Sequence, residues 1–187
     1  MNQKQRHASG AASRGQDAIV LLTRDHDRVK ELFDEFEMLE TEEGGEDDKL
    51  DLVQQICMEL TIHTQLEEEI FYPVAIDAIG QLDIMDEALV EHGKAKEQID
   101  QLVSMAPEDD YFDAEVNVLR DMVEHHIQEE EGKMFPKLKK TSVDLAALGE
   151  ELNQRKQELQ MDMGMVEASM HKTQAGRKPM PPQGPTP

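Results

Sequence analysis

Apolar positions recur at helical spacing in four separate stretches of the chain, and in each a histidine or glutamate sits inside the apolar series. The first stripe reads Leu22, His26, Val29, Phe33 and Phe36, whose alternating steps return to one face of a helix. Asp17 stands where an N-cap is wanted, and Gly44-Gly45 breaks the helix before Glu46-Asp47-Asp48 restarts it. The second stripe is Leu52, Ile56, Leu60, His63, Glu67 and Ile70; Pro73 is expected to kink or end it, and Gly80 to close the short remainder. A third helix is expected from about Leu82 to Met105, with Met85, Leu89, His92, Ile99 and Leu102 on its face. After the turn at Pro107 to Asp110, the fourth carries Phe112, Val116, Leu119, Val123, His126, Glu130 and Met134. Nothing alternates with the two-residue period of a strand, which predicts an all-α fold: an antiparallel up-down four-helix bundle with an additional C-terminal helix. That last helix has the weaker stripe Leu145, Leu148, Leu152 and Leu159. The expected limits are 17–140 for the bundle and 141–170 for the C-terminal helix. The polar segment 1–16 and the Lys-, Gly- and Pro-rich tail 171–187 have little to bury and are expected to be disordered.

The histidines and glutamates repeat as well. His63-Thr-Gln-Leu-Glu67 leads to Phe71-Tyr72-Pro73, and His126-Ile-Gln-Glu-Glu130 leads to Met134-Phe135-Pro136. Residues four apart lie one turn apart on one helix face, so each stretch presents an imidazole beside a carboxylate. Each pair is preceded by a histidine on an earlier helix. His26 lies 37 positions before His63, and His92 lies 34 before His126. Each half is thus a helical hairpin with one His on its first arm and a His/Glu pair on its second. Two hairpins packed about a pseudo-twofold axis bring His26, His63, Glu67, His92, His126 and Glu130 to mid-bundle.

Burying four imidazoles and two carboxylates with no partner is costly, and two divalent cations remove the cost. If Glu67 and Glu130 each bridge both ions, each ion takes two carboxylate oxygens and two imidazole nitrogens. An octahedral ion then retains about two open positions. Nitrogen and oxygen donors without thiolate suit iron or manganese, and zinc is also accommodated. His125 adjoins His126 and competes with it for the ligand role; the offset to Pro136 and the stripe from Leu119 select His126. Glu68, Glu69, Glu129 and Glu131 are expected in solvent, with one of them available to orient a ligand imidazole. Tyr72 and Tyr111 are expected to serve packing.

Charge and cysteine usage narrow the partners. With 41 acidic against 19 basic residues and a formal charge of −22, the chain has no basic face for nucleic acid or an anionic membrane. Cys57 is the sole cysteine and falls in an apolar run, which excludes a disulfide framework or thiolate cluster. No signal peptide or apolar run of spanning length occurs in the sequence, and a cytoplasmic location is expected. Met161, Met163, Met165 and Met170 read as helix filler rather than soft-metal ligands.

On the paired His-x3-Glu motifs and their Phe-Tyr-Pro and Met-Phe-Pro endings, the chain resembles the bacterial hemerythrin-like proteins, the HHE cation-binding family, over roughly residues 17–140. The resemblance implies a non-haem di-iron centre, with the four histidines and two glutamates above in the family's ligand positions. Two departures separate this sequence from the oxygen carriers. Their additional His, four residues after the third-helix His, is replaced by Lys96. Their second bridging carboxylate, an Asp five residues after its His, is replaced by Glu130, four after. A more symmetric centre is expected, with a free position on both metals. The expected function is binding or reduction of a small oxidant (dioxygen, hydrogen peroxide or nitric oxide), with catalase-like turnover left open. The alternative is an iron or redox sensor without turnover, signalling through metal-dependent folding. A monomer or small homo-oligomer is expected.

Overall fold

The Asp17 side chain accepts from the Ile19 backbone N–H at 2.9 Å, and its carbonyl accepts from Leu21, so the first helix starts where a cap residue allows. The structure, a computed structural model, describes residues 17–40, 45–80 and 82–175. Of the segments expected to be disordered, 1–16 and 171–187, residues 1–16 and 176–187 lie outside the described residues, whereas 171–175 continue the last helix. Helix α1 spans Ala18–Glu40. Gly45, at φ 122, precedes α2 (Glu46–Leu66), whose first turn holds three acidic residues against the helix dipole. Helix α4 spans Leu82–Val103 and α5 spans Phe112–Glu129. Among the described residues there is no strand.

Pro73 does not end the second arm. A π-helical turn, Glu67–Phe71, follows α2 directly and passes into α3 (Tyr72–Ile79), where Gly80 in the left-handed conformation (φ 66) stops the chain as expected. The second half repeats this construction: a π turn at Glu130–Met134 follows α5 and passes into α6 (Phe135–Leu138). In each case a backbone N–H reaches back five residues, Tyr72 to the Glu67 carbonyl and Phe135 to that of Glu130. A proline in a regular α-helix lacks one donor and crowds the carbonyl four residues before it. The widened turn just ahead of Pro73 and Pro136 lets the helix continue.

Helices α1, α2, α4 and α5 form the antiparallel bundle, with α1 against α2 and α5, and α4 against α5 and α2. Two apolar clusters fill it. One contains Leu22, Leu66, Phe71, Phe135 and Leu152; the other contains Phe33, Phe36, Ile56, Leu102, Phe112 and Leu119. Leu89, expected on the buried face of α4, is instead 43% exposed. The face that packs is Met85, Ala88, His92, Ala95, Ile99 and Leu102, and Leu89 lies about 100° round from Ala88. Ile70, also expected on the stripe, is only half-buried, because the π turn shifts the register after Glu67.

The C-terminal helix α7 runs Leu145–Ala175, past the expected limit at 170. Asp144 caps it through the N–H groups of Ala146 and Ala147. It lies along α1 and α2, where Leu148, Leu152 and Leu159 join the first apolar cluster. Met163 packs against that cluster, whereas Met161 is exposed. Among the described residues no helix is long and apolar enough to cross a membrane.

Candidate metal centre

Between the two apolar clusters the bundle axis turns polar. His26 sits between Leu22 and Val29 on α1, so helical register alone points its ring inward, and the same holds for His63, His92 and His126 on the other three helices. Glu67 and Glu130 are the first residues of the two π turns. All six residues are buried, none more than 7% exposed.

Their donor atoms converge in two groups. In the first, His26 Nε2 lies 3.2 Å from His63 Nε2 and 3.3 Å from Glu130 Oε2, and His63 Nε2 lies 3.2 Å from Glu67 Oε2. In the second, His92 Nε2 lies 3.1 Å from His126 Nε2 and 3.4 Å from Glu67 Oε2, with Glu130 Oε2 3.7 Å from His126 Nε2. Metal-bound imidazoles at about 2.1 Å, set at right angles, have nitrogens about 3.0 Å apart. The observed spacings are those of neighbouring ligands on one ion. His26, His63, Glu67 and Glu130 could hold one cation, and Glu67, His92 and His126 a second.

The opposite edges of three of the four rings explain why their Nε2 atoms face inward. His26 Nδ1 lies 2.8 Å from Glu131, His92 Nδ1 3.0 Å from Glu68, and His126 Nδ1 2.9 Å from Glu91. A carboxylate only accepts, so it fixes the hydrogen on Nδ1 and leaves the Nε2 lone pair aimed at the centre. Paired lone pairs require a shared proton or a metal ion between them. Without metal they take protons. Burial disfavours a charged His63, but the charge of Glu67 and the nearby carboxylates of Asp25 and Glu130 outweigh it and push its pKa up to about 10. Burial is likewise outweighed at His26, by Glu130 and Glu131, and at His92, by Glu67, so both are raised. Glu67, despite burial, is held well below the usual carboxylate range by the imidazoles beside it. Glu67 Oε1 and Glu130 Oε2 are buried without a hydrogen-bond partner. Such orphaned acceptors fit a site built for cations.

Of the neighbours expected in solvent, with one available to orient an imidazole, Glu68 and Glu131 are both hydrogen-bonded to rings of the cluster, and Glu91 joins them. Glu69 and Glu129 stay outside, paired with Arg155 and Lys133. His125 is 66% exposed and faces Glu91 at 3.6 Å, which leaves His126 as the inward ring. Lys96 turns outward and binds both oxygens of Glu68 at 2.7 Å. Burial pushes the Cys57 thiol up to about 12, the property of an inert core residue.

Tyr72 was expected to serve packing in preference to a redox role near the centre. Its buried hydroxyl instead lies 3.0 Å from Glu130 Oε1, 3.4 Å from Glu67 Oε2 and 3.2 Å from His92 Nε2. On a regular α-helix a residue five after Glu67 points about 140° away. The π turn brings it back over Glu67, and that turn is what α-helical spacing omits. The signal available in the sequence was the alignment of Tyr72 with Phe135, each just before a proline. Phe135 occupies the matching place in the other half, stacked on His26 at 5.8 Å, as Tyr72 stacks on His92 at 5.4 Å. The expected symmetry therefore fails: one group of ligands has a phenol beside it and the other a phenyl ring. Burial and the two glutamate charges keep the Tyr72 hydroxyl protonated, its pKa well above the usual phenol value.

Beside the centre is a cavity of about 30 Å³, room for two or three water-sized molecules at most. All four imidazoles line it, together with Val29, Leu60, Ala95, Val123 and Ile127. Neither Glu67, Glu130 nor Tyr72 does, so the cavity opens on the imidazole side.

A sequence model of the Hemerythrin HHE cation binding domain matches residues 17–138. A crystal structure of a hemerythrin HHE cation-binding domain-containing protein from Mycobacterium kansasii superposes with a TM-score of 0.66 at 23% identity, covering 79% of this chain and 89% of that one. A DNA nickase of Nostoc sp. is 28% identical over 116 residues, which is 62% of this chain. The match spans 31% of the nickase, so most of that protein has no counterpart in the aligned segment.

Proposed function

Since this chain belongs to the hemerythrin HHE cation-binding domain family, we propose that His26, His63, Glu67, His92, His126 and Glu130 hold two iron ions and that the centre binds or reduces dioxygen, hydrogen peroxide or nitric oxide. One observation carries the reading: two sets of converging lone pairs, spaced as neighbouring ligands, border a cavity of about 30 Å³ lined by the four imidazoles and by apolar side chains. That volume takes a diatomic molecule or a peroxide and refuses an organic substrate.

Bound iron would supply Lewis acidity and electron exchange with the small ligand. The protein's own groups do the rest. Glu67 and Glu130 would span the two halves and offset the cationic charge in the buried interior. Glu68, Glu91 and Glu131 lock the ring tautomers so that Nε2 faces inward. The Tyr72 hydroxyl keeps its proton and donates to Glu130, holding that carboxylate in place from the side opposite the cavity. Val29, Leu60, Val123 and Ile127 keep bulk water and larger reductants off the imidazole side. Nicking of DNA is not part of the reading, because a charge of −22 repels phosphate. A cytoplasmic monomer or small homo-oligomer fits the same reading.

The test is elemental analysis after iron-replete expression, followed by peroxide consumption and nitric oxide binding. Two irons per chain and an aerobic absorption band perturbed by azide are expected, with both lost in His63→Ala. A metal-free, colourless protein refutes it. The second reading, a sensor without turnover, draws on the two buried carboxylate oxygens left unpartnered, which make the fold depend on metal. It predicts no peroxide turnover and a large fall in melting temperature on chelation.

A further inference from the structure

The outer contacts of the four imidazoles follow the pseudo-twofold repeat, with one exception. The residue after each bridging glutamate serves the first histidine of the other half: Glu68 holds His92, and Glu131 holds His26. The residue before each first histidine faces the second histidine of its own half. Glu91 does this to His126 at 2.9 Å. Asp25 stands in the matching place toward His63, but its side chain is one methylene shorter and stops at 3.9 Å. That is beyond hydrogen bonding. Both atoms across the gap, His63 Nδ1 and Asp25 Oδ2, are buried and unpartnered. The other Asp25 oxygen, Oδ1, is held at 2.5 Å by Lys156, from the α7 helix.

Helix α7 lies wholly outside the matched segment 17–138. It contributes Lys156 to a partly buried contact with the bundle, and that cation grips the outer-shell carboxylate that has not closed on its imidazole. We propose that Lys156 and Asp25 are positioning residues for His63, through which α7 docking and cation binding at the His26/His63 half of the centre are coupled. The proposal rests on the six residues forming a metal site. A cation at His63 Nε2 would fix the ring with its Nδ1–H turned toward Asp25, the contact by which a neighbouring carboxylate orients a ligand imidazole. Asp25 then closes on His63 with Oδ2 while Oδ1 stays on Lys156, and the chain His63–Asp25–Lys156 polarises as one unit. By reciprocity, what strengthens the ring contact when metal binds also tightens α7, and loosening α7 weakens the metal. The His92/His126 half lacks this link, since Glu91 already reaches its ring.

The test uses the full chain stripped of metal and titrated with cobalt(II), whose d–d absorption reports each ion's surroundings. Amide hydrogen exchange of α7 is followed with and without cobalt. In the wild type, loading is expected to slow exchange around 152–159 in step with α1 and α2. Lys156→Met should weaken the tighter affected cobalt site roughly 10- to 100-fold against a competing chelator, the usual cost of losing an outer-shell partner. It should also cancel the added protection of α7, and Lys156→Arg should restore both. Asp25→Asn should give the same loss, and the double variant no further loss, because residues acting through one chain are not additive. The proposal is overturned if α7 exchange ignores cobalt while the bundle responds, or if Lys156→Met binds cobalt with wild-type affinity and spectrum. It is also overturned if the Asp25 and Lys156 losses simply add. A wild-type chain that takes up no cobalt refutes the metal site itself, a result distinct from any of these.

Discussion

Glu67→Gln is the substitution whose outcome the geometry fixes most closely, because it removes a charge and keeps the shape. In the metal-free protein, burial disfavours the charged His63 ring, and the Glu67 charge is the largest of the influences that reverse this. A proton held at about 10 in the fold, against about 6.5 in the unfolded chain, favours folding wherever the folded ring is charged and the unfolded one is not. The contribution is complete below pH 6.5 and is lost as pH rises through about 10. At pH 7 it amounts to on the order of 4 kcal/mol, at about 1.36 kcal/mol for each pH unit up to the folded value. His26 and His92 are raised as well, so the loss in alkali is shared among three rings. At the acid end Glu67 has the opposite sign. Its folded pKa is depressed, so its stabilisation is present above about 4.5 and disappears as pH falls through the folded value. Urea denaturation of chelator-treated protein between pH 6 and 10 should therefore show wild-type stability falling steadily toward alkali. Glu67→Gln should begin several kcal/mol lower at pH 6 and give a flatter curve. A wild type whose stability is level or rises across that range, or a variant with an unchanged slope, would refute the reasoning.

Loading with metal should reverse the sign: adding iron(II) or zinc to the metal-free protein at pH 7 releases protons from His26, His63 and His92, and a pH-stat titration measures them. His125→Ala, at an exposed ring, should leave metal content unchanged and stability within about 0.5 kcal/mol, while His126→Ala loses metal; elemental analysis separates the two. Tyr72→Phe keeps the ring against His92 and removes the donor to Glu130, which should cost about 1.5–3 kcal/mol in urea denaturation, the worth of a hydrogen bond to a charged group. Leu152→Ala, at a fully buried position where α7 meets the bundle, should cost about 2–5 kcal/mol and raise the susceptibility of α7 to proteolysis.

The local pattern was enough for much of this protein. Helical spacing of apolar residues places the four bundle helices, and the positions of His26, His63, His92 and His126 inside those stripes turn all four rings inward, because side-chain direction on a helix follows from register alone. The four-residue step from His to Glu sets each carboxylate beside its imidazole for the same reason. What the spacing could not show depends on departures from that register and on contacts between distant segments. Two prolines widen the helix after Glu67 and Glu130, and only the widened turn brings Tyr72 over the centre and moves Ile70 off the buried face. The carboxylates that hold the rings come from other helices: Glu131 reaches His26, Glu68 reaches His92, and Glu91 reaches His126. No local pattern distinguishes them from the many acidic residues that remain in solvent. The same holds for Lys156, which meets Asp25 only because α7 folds back along α1 and α2. The chain's periodicity determined which groups point inward; the packing of helices far apart in sequence decided which of their neighbours hold them there, and that the two halves of the centre are unequal.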